Sequence, residues 1–189
     1  HDIWMISDEV YADLAPADNN TSLARLNVAN ERIITIGSLS KSHRMTGWRC
    51  GWTVAPEPLT QHFYNLCLCM SYGLPPFIQD AAVRALQDDI DIASTLRANL
   101  VKRYQLFAQS LAKINNVSLY GEPGSMFAIL DIRALKIDTT EFAQALLDQH
   151  RVSVLPCDGF GASGSGLLRI SLCEHETRLQ TACQRLSEF

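Results

Sequence analysis

Arg32-Ile33-Ile34-Thr35-Ile36-Gly37-Ser38-Leu39-Ser40-Lys41, followed by Thr46-Gly47-Trp48-Arg49-Cys50-Gly51-Trp52, decides how the rest of the chain is read. Residues 32 to 37 form a short β-branched run, the composition of a buried strand. Such a strand delivers Lys41 at its carboxyl end, where open α/β sheets collect ligands. One strand-to-loop-to-strand passage thus carries an amine, the hydroxyls of Ser38 and Ser40, and the Arg49 guanidinium. That set suits a phosphorylated aldehyde held through both its carbon and its phosphate.

A lysine that bonds a carbonyl carbon must spend time as a neutral amine, which requires nearby positive charge or desolvation to pull its pKa below about 10. Arg49 is the candidate source of that charge. A guanidinium also matches a phosphate dianion bidentately, and the two serines offer hydroxyl donors to the same group. Upstream, Ile3-Trp4-Met5-Ile6-Ser7-Asp8-Glu9-Val10-Tyr11 reads as an apolar strand ending in Asp8 and Tyr11. A carboxylate there is costly unless it meets a cation or a donor. A protonated ring nitrogen would satisfy Asp8, and Tyr11 could bond a phenolate oxygen on the same ring. Downstream, Gly166-Leu167-Leu168-Arg169-Ile170-Ser171 is a strand pattern in which Arg169 is an odd core residue unless it faces an anion. Each residue alone has a plainer reading: a turn carboxylate, a half-buried tyrosine, a solvated lysine, a surface ion pair. Their joint order argues for one site.

These motifs together resemble those of the fold-type I, class I/II aminotransferases that use pyridoxal phosphate (PLP), with similarity running from Trp4 to near the end of the chain. The resemblance implies that Lys41 is the Schiff-base lysine and proton shuttle. It puts Asp8 on the pyridine nitrogen, Tyr11 on the ring oxygen, Ser38 and Arg49 on the phosphate with Ser40 as a further hydroxyl, and Arg169 on the substrate α-carboxylate. The implied fold is α/β: part of an aspartate aminotransferase-like large domain with a long connecting helix over 1–114, then a small α+β domain over 115–189. Family members are about twice this long, so the chain is expected to be the carboxyl-terminal half, without the glycine-rich phosphate loop, and inactive alone. A homodimer in the cytoplasm, acting on an amino acid and a 2-oxo acid, is expected of the intact enzyme. Ser38–Arg49, Leu66–Met70 and Phe77–Ala82 resemble the arginine–pyruvate transaminases, which implies arginine as donor and pyruvate as acceptor. Another PLP-dependent lyase or decarboxylase reaction, or a non-catalytic truncated module, is the alternative.

Composition bounds the reading from outside. The 189 residues are 47% apolar, enough to bury a core, and the net charge of −4 comes without a basic stripe, so nucleic acid is not an expected partner. Cysteines at 50, 67, 69, 157, 173 and 183 form no Cys-x-x-Cys pair, and the histidines are dispersed; reduced thiols are expected, with neither zinc nor disulfides. No run of 18 apolar residues and no signal peptide is visible, so no membrane association is expected.

Periodicity supplies the remaining elements. A strand is predicted over Cys50–Ala55, and helices over 59–71, 76–88 and 90–114. The run Leu66-Cys67-Leu68-Cys69-Met70 reads as packed core, and Leu96, Leu100, Tyr104, Phe107 and Leu111 form one stripe of the long helix. Beyond Asn115-Asn116, strands are predicted at Val117–Tyr120, Met126–Ile132, Val152–Leu155 and Leu167–Leu172, and helices at Thr139–Gln149, capped by Thr139 or Thr140, and Glu174–Ser187. Glycines 159, 161, 164 and 166 read as a flexible loop rather than a phosphate cradle. Gly121–Phe127 reads as an ordinary turn and also resembles a family segment that approaches the substrate pocket, which implies that its glycines let backbone come close to a ligand.

Overall fold

A computed structural model describes residues 3–15, 22–25, 30–88 and 91–188. It divides into two compact units, His1–Leu96 and Arg97–Phe189. The division falls inside the long helix, whereas the sequence reading ends the first domain at 114. The predicted start of that helix at residue 90 lies outside the described residues.

The first unit is built on three strands in the order β1-β2-β3: β1 (Met5–Asp8), β2 (Ile33–Ser38) and β3 (Gly51–Val54). β1 runs parallel to β2, with Asp8 opposite Ile36, and β3 runs antiparallel to β2, with Gly51 opposite Ser38. This direction pattern brings the carboxyl ends of β1 and β2 and the amino end of β3 to one edge of the sheet. β2 alternates buried and half-buried residues, Ile33 and Thr35 among the buried ones, as its central position requires. Gly37 is needed inside it, because a Cβ there would sit 2.3 Å from the indole of Trp52, its cross-strand partner.

Four helices follow or interleave: α1 (Leu39–Ser42), α2 (Glu57–Ser71), α3 (Pro76–Gln87) and the start of α4 (Ile92–Leu111). Prolines stand in the first turns of α2 and α3, where no backbone donor is lost. Leu39, Met45 and Ala82 form a small core that fastens α3 beneath the lysine loop.

The apolar character of the first strand does not bring burial: Ile6 of β1 and Trp4 just before it are exposed, and among the described residues β1 pairs only with β2. Nor is the Leu66–Met70 run packed core, since no residue of α2 is buried and Leu66, Leu68 and Met70 are 56%, 41% and 74% exposed. Periodicity finds an apolar helix but carries no information on what covers it.

The second unit combines the rest of α4 with an antiparallel sheet in the order β4-β5-β7-β6 and two helices. Its strands are β4 (Ser118–Tyr120), β5 (Phe127–Asp131), β6 (Leu155–Pro156) and β7 (Leu167–Ser171); its helices are α5 (Thr139–His150) and α6 (Glu176–Ser187). Leu100, Phe107 and Leu111 of α4 are buried, as are Leu130, Ile132, Leu146, Leu168 and Leu172, so the helical stripe and the strand alternation meet in one core. Asp138, not Thr139 or Thr140, caps α5, accepting from the N–H groups of Thr140 and Glu141 at 2.9 and 3.0 Å. Thr139 is instead buried and accepts from the Gly166 N–H at 2.9 Å. The glycine stretch expected as a flexible loop is folded into two tight turns, Asp158–Phe160 and Ala162–Gly164. Gly121 and Gly124 adopt positive φ in the turn before β5, which only glycine adopts readily.

Candidate active site

The sheet edge described above gathers most of the sequence-predicted residues: Asp8 and Tyr11 from the end of β1, Ser38, Ser40 and Lys41 from the end of β2, and Arg49 from the start of β3. Asp8 is the last residue of β1, and its Oδ1 accepts from the Val10 N–H at 3.2 Å, which turns the chain. Tyr11 follows, just before a short turn at Ala12–Leu14 whose Leu14 is buried. Ser38 ends β2 and caps α1 by accepting from the Ser40 N–H at 3.1 Å. Its Oγ also lies 2.9 Å from Ser40 Oγ and 3.0 Å from the Cys50 carbonyl. Lys41 stands in the middle of α1, its Nζ 5.7 Å from the centroid of the Tyr11 ring. The two parallel strands therefore bring together an amine and a phenol that are far apart in sequence.

Arg49 reaches the same edge from the other side. It precedes β3 in a left-handed conformation (φ 56°, ψ 38°), and its Nη1 donates to the Thr46 carbonyl at 3.0 Å. A non-glycine residue at positive φ costs energy, and such residues cluster at ligand sites. Ser38, Ser40 and Arg49 share the wall of a cavity of about 640 Å³ with Gly37, Trp52 and Tyr64. Each serine hydroxyl can rotate, and the arginine presents further donors, so this wall can bind an anion through several N–H and O–H groups at once.

Arg169 belongs to the second unit, in the middle of β7, opposite Ile129 of β5 and Leu155 of β6. Its guanidinium carbon lies 4.5 Å from the Phe127 ring centroid and 5.5 Å from that of Phe160. A larger cavity of about 790 Å³ in the same unit is lined by α5, α6 and Val152–Val154 and contains none of the predicted residues. The convergence of donors, rather than volume, makes the sheet edge the candidate site. Among the described residues no group of His, Cys, Asp and Glu could hold a metal ion, and no helix is long and apolar enough to cross a membrane.

Comparison with known proteins follows the same lines. The profile of the family Aminotransferase class I and II matches residues 1–186. The chain belongs to that family. An arginine–pyruvate transaminase of Pseudomonas aeruginosa is 43% identical to this aminotransferase chain, over 99% of the chain and 48% of that relative. A putative aminotransferase of Bacillus subtilis is 32% identical over 100% of the chain and 49% of its own length. An aromatic aminotransferase from Pyrococcus horikoshii has the same fold, with a TM-score of 0.93 at 29% identity, over 100% of the chain and 51% of that structure. The chain spans about half the length of the curated relatives it matches.

Some residues that shape the candidate site escape a reading by motif. Glu9 Oε1 accepts from Ser7 Oγ at 2.9 Å, Ser22 Oγ at 2.8 Å and the Leu23 N–H at 3.2 Å, pinning a distant segment to the end of β1 beside Asp8. The signal available was an acid flanked by Ser7 at a strand end, which does not reveal a partner thirteen residues away. The Phe127 and Phe160 rings around Arg169 were equally invisible, since sequence gives no distance between them.

Proposed function

We propose that the whole protein of which this chain is a part is a PLP-dependent aminotransferase, moving an amino group from an amino acid to a 2-oxo acid. The supporting observation is the convergence of Asp8, Tyr11, Ser38, Ser40, Lys41 and Arg49 on one sheet edge, with Lys41 Nζ 5.7 Å from the Tyr11 ring. The donor set fits the cofactor: an amine for its aldehyde, a carboxylate for its ring nitrogen, a phenol for its ring oxygen, and two hydroxyls and a guanidinium for its phosphate. When bound, PLP supplies an electron sink for the bond broken at the substrate's α-carbon.

The chain's own residues do the rest. Ser38, Ser40 and Arg49 anchor the phosphate and fix the position of the ring. Asp8 keeps the ring nitrogen protonated, and Tyr11 donates to the ring oxygen. Lys41 would hold the cofactor's aldehyde carbon through its amine and, with that amine free, would take up and return the proton at the substrate's α-carbon as general base and acid. Arg169 holds the substrate α-carboxylate through paired N–H donors. The 43% identity to an arginine–pyruvate transaminase favours arginine as the donor and pyruvate as the acceptor. The active form is a homodimer.

Absorption between about 300 and 500 nm tests the cofactor reading. The PLP-loaded protein should show a band that borohydride removes by fixing the cofactor to Lys41, and Lys41→Ala should lack it. A band that survives in Lys41→Ala, or label fixed to another residue, would overturn the assignment. Product analysis then separates amino transfer from the lyase and decarboxylase alternatives: an aminated acceptor on one side, ammonia or carbon dioxide on the other.

A further inference from the structure

Arg169 has an unusual setting for a strand arginine. β5 and β6 flank β7 on opposite sides, and one aromatic ring reaches Arg169 from each. Phe127 opens β5 opposite Ser171, two residues along from Arg169 and so on the same side of the pleat. Phe160 ends the turn that follows β6, the strand whose Leu155 pairs with Arg169. Among the described residues Arg169 enters no ion pair.

Those facts are physically linked. A guanidinium is a planar, weakly hydrated cation whose donors all lie in its plane, while its faces are attracted to aromatic rings. An acidic partner would fix Arg169 equally well but would occupy the donors. Rings restrict the side chain without taking a single N–H, since they offer no competing lone pair. They also shield the guanidinium from water, which strengthens a charge-assisted bond made along its edge.

We propose that Phe127 and Phe160 are positioning residues for Arg169, holding its guanidinium by ring contact so that the donor edge is free for the substrate carboxylate. The proposal rests on the reading of Arg169 as the carboxylate site. It adds that the affinity of this site for a planar carboxylate is set by the two rings, and that both half-reactions depend on them, because donor and acceptor share that carboxylate.

The test uses the PLP-loaded full-length protein with Phe127→Leu, Phe160→Leu and the conservative Phe127→Tyr. Phe160 is 67% exposed, so its truncation leaves the core intact. Each leucine variant should raise KM for the amino acid and for the 2-oxo acid alike by roughly three- to tenfold, with a smaller change in kcat, and Phe127→Tyr should restore the wild-type values. The Arg169 Nε–H proton, identified by its disappearance in Arg169→Lys, should resonate upfield from ring currents and move downfield in the leucine variants. An unmoved resonance shows that the rings do not hold Arg169 and overturns the proposal. A moved resonance with both KM values unchanged shows that they hold it for something other than the carboxylate, and overturns it equally. If Arg169→Lys itself leaves both KM values unchanged, the carboxylate reading fails first; the resonance shift is read independently and tells the two failures apart.

Discussion

Lys41 owes its position to Ser38, which ends one strand and caps the next helix with the same hydroxyl. The oxygen that would help bind a phosphate is thus already engaged in shaping the loop, and Ser38→Ala should have two effects: a lost cap, worth about 1 kcal/mol, and, on the proposed function, weaker cofactor binding. Lys41→Ala has one, and transamination by the PLP-loaded protein should vanish; near-normal turnover in that variant would remove Lys41 from the mechanism. Arg169→Ala should chiefly raise KM for the amino donor, by about tenfold or more for a lost charge-assisted pair. Asp131 shows a second residue-scale effect away from the site. It is buried at the end of β5 and accepts from the Arg133 backbone N–H at 2.9 Å and from its guanidinium. The Arg133 hydrogen bonds hold its carboxyl below the usual carboxylate range, against the opposing effect of burial. A depressed folded pKa contributes stability that is present above the unfolded value of about 4 and is lost as pH falls through the folded one. Urea midpoints at pH 7 and pH 3 should therefore differ more for the wild type than for Asp131→Asn, and equal losses in the two proteins would exclude this carboxylate as a contributor.

At the scale of elements, what could be read from sequence depended on whether an element's neighbours lie close along the chain. β2, the lysine turn and β3 are consecutive, so the order of Ser38, Lys41 and Arg49 already implied one sheet edge. Asp8 was legible because a carboxylate after an apolar run marks a strand end, although its Oδ1 also closes an ordinary turn. The α5 cap falls one residue before the expected threonines because Asp138 precedes them and all three are cap-forming types. Helix propensity cannot choose among adjacent candidates; here the buried contact of Thr139 with Gly166 chooses. Sequence reads the glycine stretch as flexible, but Gly164 and Gly166 serve close packing, while Gly159 and Gly161 have open space around them. A Cβ at Gly164 would lie 2.1 Å from the Cys157 carbonyl oxygen, and backbone cannot yield as a side-chain tip does. Gly164→Ala should cost about 1–3 kcal/mol as an overpacking change and loosen the turn that carries Phe160. Thermal unfolding measures the first effect. An unchanged Tm would mean that the turn shifts freely and does not position anything.

At the scale of the whole molecule, thiol exposure and uncovered apolar surface both make predictions for the chain in solution. In the second unit, burial pushes the Cys183 thiol up to about 11 and also raises that of Cys157, so both remain protonated and slow at neutral pH. Cys67, Cys69 and Cys173 are exposed, and a thiol reagent should modify these three first. Rapid loss of Cys183 instead would indicate that α6 opens in solution. In the first unit, apart from the Ala82 side of α3, large apolar residues on and beside α2 and α3 are exposed: Tyr64, Leu66, Met70, Tyr72, Phe77 and Leu86. Exposed large apolar side chains in such number mark an interface or an association hazard. Sequence could not distinguish this face from an internal core, because the same residues satisfy both until the partner surface is known. The 189-residue chain by itself should therefore bind a hydrophobic dye and associate as its concentration rises. Replacing Leu66 and Met70 with glutamate should reduce both effects without lowering the Tm of the second unit, since neither side chain belongs to that unit's core. A monomeric, dye-silent wild-type chain would show that α2 is covered in solution by segments of this chain.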